Sequence, residues 1–504
     1  MRVRERVAVL DDARLAEALT PRVGFIDETQ IEPGIFTATN GTPYRRTVRV
    51  EAQTDGTHRV TQRVEVEFKI PYWGFLFGPL FTLHVARIGG PDDKRPVWFP
   101  PEGLDDKAMA TLARLGVISL ILGYVGVILT QTITYAAGEF GANKAAQGVT
   151  LAAVRLDVVL ALPLALLADR RGRRFLVVNG AAAACALSAL GALAPNLWSL
   201  AGAQVITRGF SSACVVALGV MVAEEMPSGG RAWATSLMAM AGFFGAGICI
   251  VGLPLADLAD NAWRVLFLLP LLFAPVALRV GRGLTETHRF VAHVAARLER
   301  VKWWGVLMTH RGRFALMATS AFLIAVFSTP ASQFQNEFLR TERGFSGAQI
   351  TLFVTLTSIP GAIGIVAGGA LAERGRRLVG AVAVFVGVGA TVGMYFSSAW
   401  GLYAWSTFGS VVGAAAVPAL GVYGAELFPT EARSAANGGI GFAGRVGSVI
   451  GLVIAGTLGD RIGLPRTFLY LSIGPALLCL LILVAYPETA HRELEDLNPE
   501  DAPL

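Results

Sequence analysis

Charged residues are scarce in this chain. Asp, Glu, Lys and Arg make up 16% of its 504 residues, against 53% hydrophobic, and the mean hydropathy is +0.54. Soluble domains carry about a quarter charged residues, so the composition excludes an ordinary soluble fold and calls for a polytopic membrane protein. Cysteine is scarcer still: Cys185, Cys214, Cys249 and Cys479 all fall inside apolar stretches without metal-ligand spacing. They are read as small packing residues, and no metal site is expected. A G-x-x-x-x-G-K-[ST] phosphate loop is missing, which disfavours an ATPase, and no nucleophile elbow suggests an enzyme. No cofactor is expected. Residues 1–30 contain Arg2, Arg4 and Arg6 but no apolar core long enough for a signal peptide. The first 110 residues hold 15 Lys and Arg against 16 Asp and Glu, so the formal +6 arises in the apolar part. Membrane topology accounts for that excess, and no nucleic-acid partner is expected.

What the chain does have is apolar length. Twelve stretches of the size needed to cross a bilayer lie near 112–134, 148–168, 175–194, 199–223, 232–255, 263–281, 314–333, 348–372, 378–397, 401–426, 434–457 and 465–486. Six alternate loops hold only Lys144, Arg264, Arg340, Arg343, Arg461 and Arg466, while basic residues crowd the other loops. That asymmetry predicts cytoplasmic termini in a cell membrane. The expected plan is an N-terminal extension at 1–105, a six-helix bundle at 106–281, a linker at 282–313, a second bundle at 314–490 and a tail at 491–504. The linker is basic, and residues 295–302 have helical spacing.

Charged motifs at the span ends occur twice, about 200 residues apart. Asp169-Arg170-Arg171-Gly172-Arg173-Arg174 returns as Glu373-Arg374-Gly375-Arg376-Arg377, Glu224-x-x-Pro227-x-x-x-Arg231 as Glu426-x-x-Pro429-x-x-x-Arg433, and Glu286-Thr287 as Glu488-Thr489. Duplicated halves are a common construction of secondary transporters. The first motif resembles the G-x-x-x-D-R-x-G-R-R signature of the major facilitator superfamily, with Ala165 at the usual glycine. Glu426-Leu-Phe-Pro-Thr-Glu-Ala-Arg433 and Pro487-Glu488-Thr489 resemble the sugar-porter branch and its relatives that carry organic ions and aromatic acids. The resemblance covers about residues 110–495. It implies an all-α membrane protein of twelve transmembrane helices in two six-helix repeats, here with a small α+β cytoplasmic extension. It also implies a cytoplasmic gate, carried over to Asp169, Arg173, Glu224, Arg231, Glu373, Arg374, Glu426, Arg433 and Glu488, that locks the inner side in the outward-facing state.

Four charges lie inside the spans, where each is costly unless paired or hydrated. They are Arg155 and Asp157 in the second span, Arg208 in the fourth and Arg445 in the eleventh. At 1.5 Å per residue from the cytoplasmic ends, all four fall about 16–20 Å deep, near the membrane centre. Arg155 and Asp157 are about 200° apart around a helix, so they answer to different neighbours. In the resembling fold the second and eleventh helices are adjacent, so Asp157 is expected to pair with Arg445 while Arg208 faces the cavity. Three cations against one anion ask for a counter-ion, which a substrate carboxylate supplies.

The sugar-porter pattern is departed from in two places. Gly123-Tyr124-Val125-Gly126 lacks the acid that proton-coupled sugar porters typically place after the Gly-Tyr pair, and Gln333-Phe334-Gln335-Asn336 lacks the tandem glutamines. Gln131, Gln204, Gln333, Gln335 and Asn336 are kept as cavity-lining candidates. The expected function is alternating-access, proton-coupled symport of an organic anion, by a monomer whose partners are the substrate, protons and the bilayer. Sugar or polyol transport, drug antiport and a sensor with little flux are the alternatives. In the extension, Val48, Val50 and Ala52, a turn at Asp55-Gly56, then Val60, Val64, Val66, Phe68 and Ile70 predict a hairpin. Residues 70–88 are long enough to span but broken by Pro71, Gly74, Gly78 and Pro79, and are read as interfacial.

Overall fold

The computed structural model describes residues 2–22, 26–39, 43–53, 56–68, 70–88, 104–226, 231–286, 309–372 and 374–490. Side chains at 162, 165–166, 168–170, 223, 231–232, 366, 425 and 430–435 lie outside that description. The helical spacing expected over 295–302 also falls outside the described residues.

Among the described residues, eleven helices are long and apolar enough to cross a membrane. In the first half they are span 1 (Asp106–Glu139), span 3 (Arg173–Ala192), span 4 (Leu197–Val222), span 5 (Trp233–Asp257) and span 6 (Trp263–Gly281). In the second half they are span 7 (Arg311–Glu342), span 8 (Gly347–Ala372), span 9 (Arg376–Phe396), span 10 (Trp400–Gly421), span 11 (Ala436–Ile462) and span 12 (Leu464–Ala485). The twelfth segment, span 2, is made of two helices, Lys144–Ala153 and Asp157–Arg171, joined by a tightened turn at Val154–Leu156. Neither helix alone is long enough to span, and the turn between them falls on Arg155.

Polar caps set where the spans begin. Asn143 accepts from the Ala146 amide at the start of span 2, and Ser346 forms a capping box with Gln349 at the start of span 8. Each cap follows a glycine with left-handed backbone, Gly141 at φ +60° and Gly344 at φ +70°. The duplication seen in the motifs therefore extends to the turns. Small residues bring the halves together at the end far from the termini, where a Cβ on Gly148 would meet the Leu452 carbonyl oxygen at 2.4 Å. One on Gly456 would meet that of Lys144 at 2.5 Å.

The extension is a five-stranded antiparallel sheet in the order β1-β5-β4-β3-β2, with β1 Arg2–Leu10, β2 Glu28–Glu32, β3 Ile35–Ala38, β4 Tyr44–Ala52 and β5 His58–Val66. Strands β4 and β5 form the expected hairpin, with Tyr44 opposite Val66 and Ala52 opposite His58. Alternation buries one face: Tyr44, Arg46, Val48, Val60, Gln62, Val64 and Val66. Arg46 is fully buried there and is held by Glu28 at 2.6 Å, with the Ala18 and Thr20 carbonyls taking its other N–H groups. That pairing is what permits a charge in the core. Burial, and then the adjacent Glu28 carboxylate, pushes the Tyr44 hydroxyl above its ordinary range. Helix α1 (Asp12–Ala18) packs on this face, and helix α2 (Gly74–Val85) joins the sheet to the bundle. At twelve residues α2 is too short to cross a membrane. Trp73 Nε1 donates to the Ala113 carbonyl of span 1 at 2.9 Å, and one apolar core runs from Val64, Val66, Phe81 and Val85 into Met109, Leu112 and Leu115.

Candidate functional site

The intramembrane charges converge where the two halves meet. Arg445 Nη1 of span 11 donates to Asp157 Oδ1 of span 2 at 3.3 Å, and Ser212 Oγ of span 4 donates to Asp157 Oδ2 at 2.6 Å. Asp157 is buried, whereas the Arg445 side chain is 41% exposed and so open to the space between the halves. Arg155 and Arg208 lie within electrostatic range of this carboxylate and of Arg445. Gln204, Arg208 and Ser212 are spaced by four and share a face of span 4. A Cβ on Gly209 would meet Leu160 Cβ at 2.7 Å, so glycine is what lets span 4 pass this close to span 2. The result is three guanidinium groups around one carboxylate in a low-dielectric setting, an arrangement that attracts an anion.

Among the amides, Asn336 Nδ2 donates to Gln131 Oε1 at 2.7 Å, a bond from span 7 to span 1. Gln204 is fully buried, and neither of its amide atoms has a hydrogen-bond partner among the described residues. Gln333 is buried and Gln335 half-buried in the same segment of span 7. Glu337 follows them, 5% exposed, with its carboxylate accepting from Gln147 Nε2 of span 2 at 3.1 Å. Sequence reasoning passed over Glu337 because it lies at the edge of an apolar run, next to the loop charges.

At the end nearer the termini, Arg173 pairs with Glu224 and Arg376 pairs with Glu426. Arg374, carried over as a gate residue, is exposed; Arg376, the residue after the motif glycine as Arg173 is, makes the pair with Glu426. Glu286 accepts from the Arg173 and Arg174 amides at 3.0 and 3.2 Å, and Glu488 from those of Arg376 and Arg377 at 3.0 and 3.2 Å. Each acid thus seats the start of span 3 or span 9 on the end of its own half. All these contacts lie within a half, so the described pairs brace each bundle rather than join the two. Burial works against the charge of Glu488, yet the backbone N–H groups around it outweigh that effect and hold its carboxyl below the ordinary value. The side chains of Asp169, Arg231, Glu373 and Arg433 lie outside the described residues.

The polar contacts that join the halves among the described residues lie in the middle and at the opposite end. There Lys144 pairs with Glu342 at 2.9 Å and Arg340 with Asp257 at 2.6 Å. Asp460 accepts from the Lys144 and Ala145 amides at 2.9 and 2.8 Å, and Asp257 from the Gly347 amide at 2.5 Å. Of these residues, Lys144 and Arg340 were read in the sequence only as sparse loop charges, and the three acids were not singled out. The repeat spacing could have singled them out, because Asp257 and Asp460 keep the same offset as Lys144 and Gly347.

Twelve spans in two equivalent halves, with buried charges at the junction, define a secondary-transporter fold. The sequence profile of the Major Facilitator Superfamily matches residues 115–336 and 314–503, and the chain belongs to that family. No curated protein sequence matches it. Among solved structures it is similar to a bacterial homologue of the human lysosomal transporter Spinster in an inward-facing, unoccupied conformation, with a TM-score of 0.64 and 14% identity over 76% of this chain and 98% of that one. It is also similar to the inward open xylose transporter XylE from E. coli, with a TM-score of 0.62 and 15% identity over 78% and 99% of the two chains. The nucleoside transporter NupG matches with a TM-score of 0.63 and 11% identity over 75% and 100%. At these identities the likeness establishes the fold and leaves the substrate open.

Proposed function

We propose that the chain is a proton-coupled symporter of a small organic anion in a cell membrane, with both termini in the cytoplasm. The observation that carries this reading is the excess of cations at the junction of the halves: Arg155, Arg208 and Arg445 surround Asp157, the one carboxylate among the four charges. A substrate carboxylate binds Arg208 and Arg445, and protonation of Asp157 releases Arg445 to receive it, so anion and proton load together. Gln204, one turn from Arg208 with its amide unpartnered, offers the neutral contact that orients the substrate. Bridges at the far end, with the terminal-end ion pairs confined to single halves, fit a state open toward the cytoplasm. In the outward-facing state Arg173, Glu224, Arg376, Glu426, Glu488 and their undescribed partners close the cytoplasmic side.

The test is internal pH in proteoliposomes holding the purified protein, as pools of aromatic acids, aliphatic carboxylates, sugars and cationic drugs are added outside in turn. Acidification with one carboxylate pool, lost in Asp157→Asn, is the expected result. Acidification with sugars alone would overturn the anion reading, and binding without flux for every pool would point to a sensor.

A further inference from the structure

An apolar groove lies between α2 of the extension and spans 1 and 5 of the bundle, away from the central charges. Trp73 at the start of α2, Phe77 within it, Leu112 of span 1, and Trp233, Met240 and Phe244 of span 5 line it, around a narrow cleft of about 80 Å³ that is open on one side. Its outer edge is on the apolar surface of span 5, where the lining residues Met240 and Phe244 are 38% and 53% exposed. Tyr72 just before α2 and Phe75, Leu76 and Leu80 within it are exposed and form an apolar strip beside the entry of span 1, the pattern of an interfacial helix.

Basic residues border the groove on the side of the extension. The Arg2 guanidinium donates to the Gly74 carbonyl at 2.9 Å and lies against Gly78, which places it on the first turns of α2. Arg4 and Arg6 follow on the same face of β1, two residues apart, and both are exposed. An apolar groove on a membrane-spanning bundle, with the Arg2 guanidinium at one end and Arg4 and Arg6 beyond it, is complementary to one kind of occupant.

We propose that this groove binds an anionic phospholipid of the leaflet facing the extension, with an acyl chain between α2, span 1 and span 5 and the headgroup phosphate on Arg2, Arg4 and Arg6. The bound lipid then fastens the extension to the bundle. Trp73 and Trp233 provide the readout, because bromine atoms on an acyl chain quench tryptophan fluorescence on contact. The full-length protein in detergent is titrated with phosphatidylglycerol or phosphatidylcholine brominated on the acyl chains, beside a Trp73→Phe/Trp233→Phe variant that isolates the groove signal. The expected result is groove quenching at a phosphatidylglycerol concentration at least fivefold below that of phosphatidylcholine, a preference lost in Arg2→Gln/Arg4→Gln/Arg6→Gln. Equal quenching by the two lipids would remove the headgroup site, and equal quenching of the protein and the double tryptophan variant would remove the groove. The comparison on the intact protein decides the matter even if the triple arginine variant fails to fold.

Discussion

Asp257 and Asp460 perform the same task on the two seams of the far end: each places its carboxylate on the first backbone amides of a helix in the opposite half, Gly347 for Asp257, Lys144 and Ala145 for Asp460. A carboxylate at a helix N-terminus contributes about 0.3–1 kcal/mol, and up to about 2 when partly buried. Both contacts exist only while the far end is closed. Replacing both acids, Asp257→Asn with Asp460→Asn, is expected to shift the equilibrium toward far-end opening by about 1–2 kcal/mol, or about 5- to 30-fold. Spin labels on Asp260→Cys and Arg461→Cys report it as growth of a longer distance, since the four native cysteines are buried. An unchanged distance distribution would show that the caps do not hold the gate.

The glycines beneath those caps make a sharper case. Gly148 and Gly456 leave no room for a Cβ at the crossing of spans 2 and 11, where the contacts would be 2.4 and 2.5 Å. Gly148→Leu is therefore expected to prevent far-end closure while leaving each half intact. Transport should fall by at least tenfold, with the labelled distance fixed at its longer value and thermal melting of the halves close to that of the parent protein.

The frame of this fold was legible in the sequence because it is written twice. Gly141 and Gly344, Asn143 and Ser346, Asp257 and Asp460, Arg173 and Arg376 all keep one spacing, and each does the same local task in its half. The central charges break the rule: the second copy has Ser358 opposite Arg155, Pro360 opposite Asp157 and Val411 opposite Arg208. Their convergence depends on how spans 2, 4 and 11 cross, and periodicity within one helix carries no information about that. Strand β1 was hidden for another reason. Arg2, Arg4 and Arg6 occupy the face that apolar residues usually fill, Val3, Val7 and Val9 are exposed, and pairing with β5 is distant in sequence.

The central pair separates binding from coupling. Asp157→Asn leaves Arg445 without its carboxylate partner and the three cations uncompensated. Because the Arg445 side chain is 41% exposed, the loss of stability is expected at about 1–3 kcal/mol, below the cost of breaking a fully buried pair. Arg445→Gln should destabilise to a similar degree, and the double variant by less than the sum, with a coupling energy of about 1–2 kcal/mol. Thermal unfolding of the four proteins measures it. Anion binding should persist or tighten in Asp157→Asn and lose its pH dependence.

Glu488 gives a stability prediction with a sign. Its carboxyl is buried in part, but the amides of Ala490, Arg377, Arg376 and Thr489 hold it below the ordinary value. A depressed carboxyl contributes stability that is fully present above the ordinary value of about 4.3 and is lost as pH falls through the folded-state value. Glu488→Gln is therefore expected to melt lower than the parent protein at neutral pH, with the gap closing as the pH drops below about 4. A gap that stays constant across that range would mean that the contribution of Glu488 is not electrostatic.

Glu337 offers the competing seat for the proton. Its carboxylate is buried between spans 7 and 2, accepts from Gln147, and lies on the far-end side of the central cluster. A glutamine in its place keeps the size and can still bond to the Gln147 amide, so Glu337→Gln should fold and melt within a few degrees of the parent. With Asp157 as the coupling acid, substrate-driven acidification of proteoliposomes persists in Glu337→Gln and vanishes in Asp157→Asn. The reverse pattern would move proton coupling to Glu337 and leave Asp157 as the anchor that positions Arg445. Loss of the signal in both variants, with substrate exchange retained, would mean that the two carboxyls pass one proton between them along the seam of spans 2 and 7.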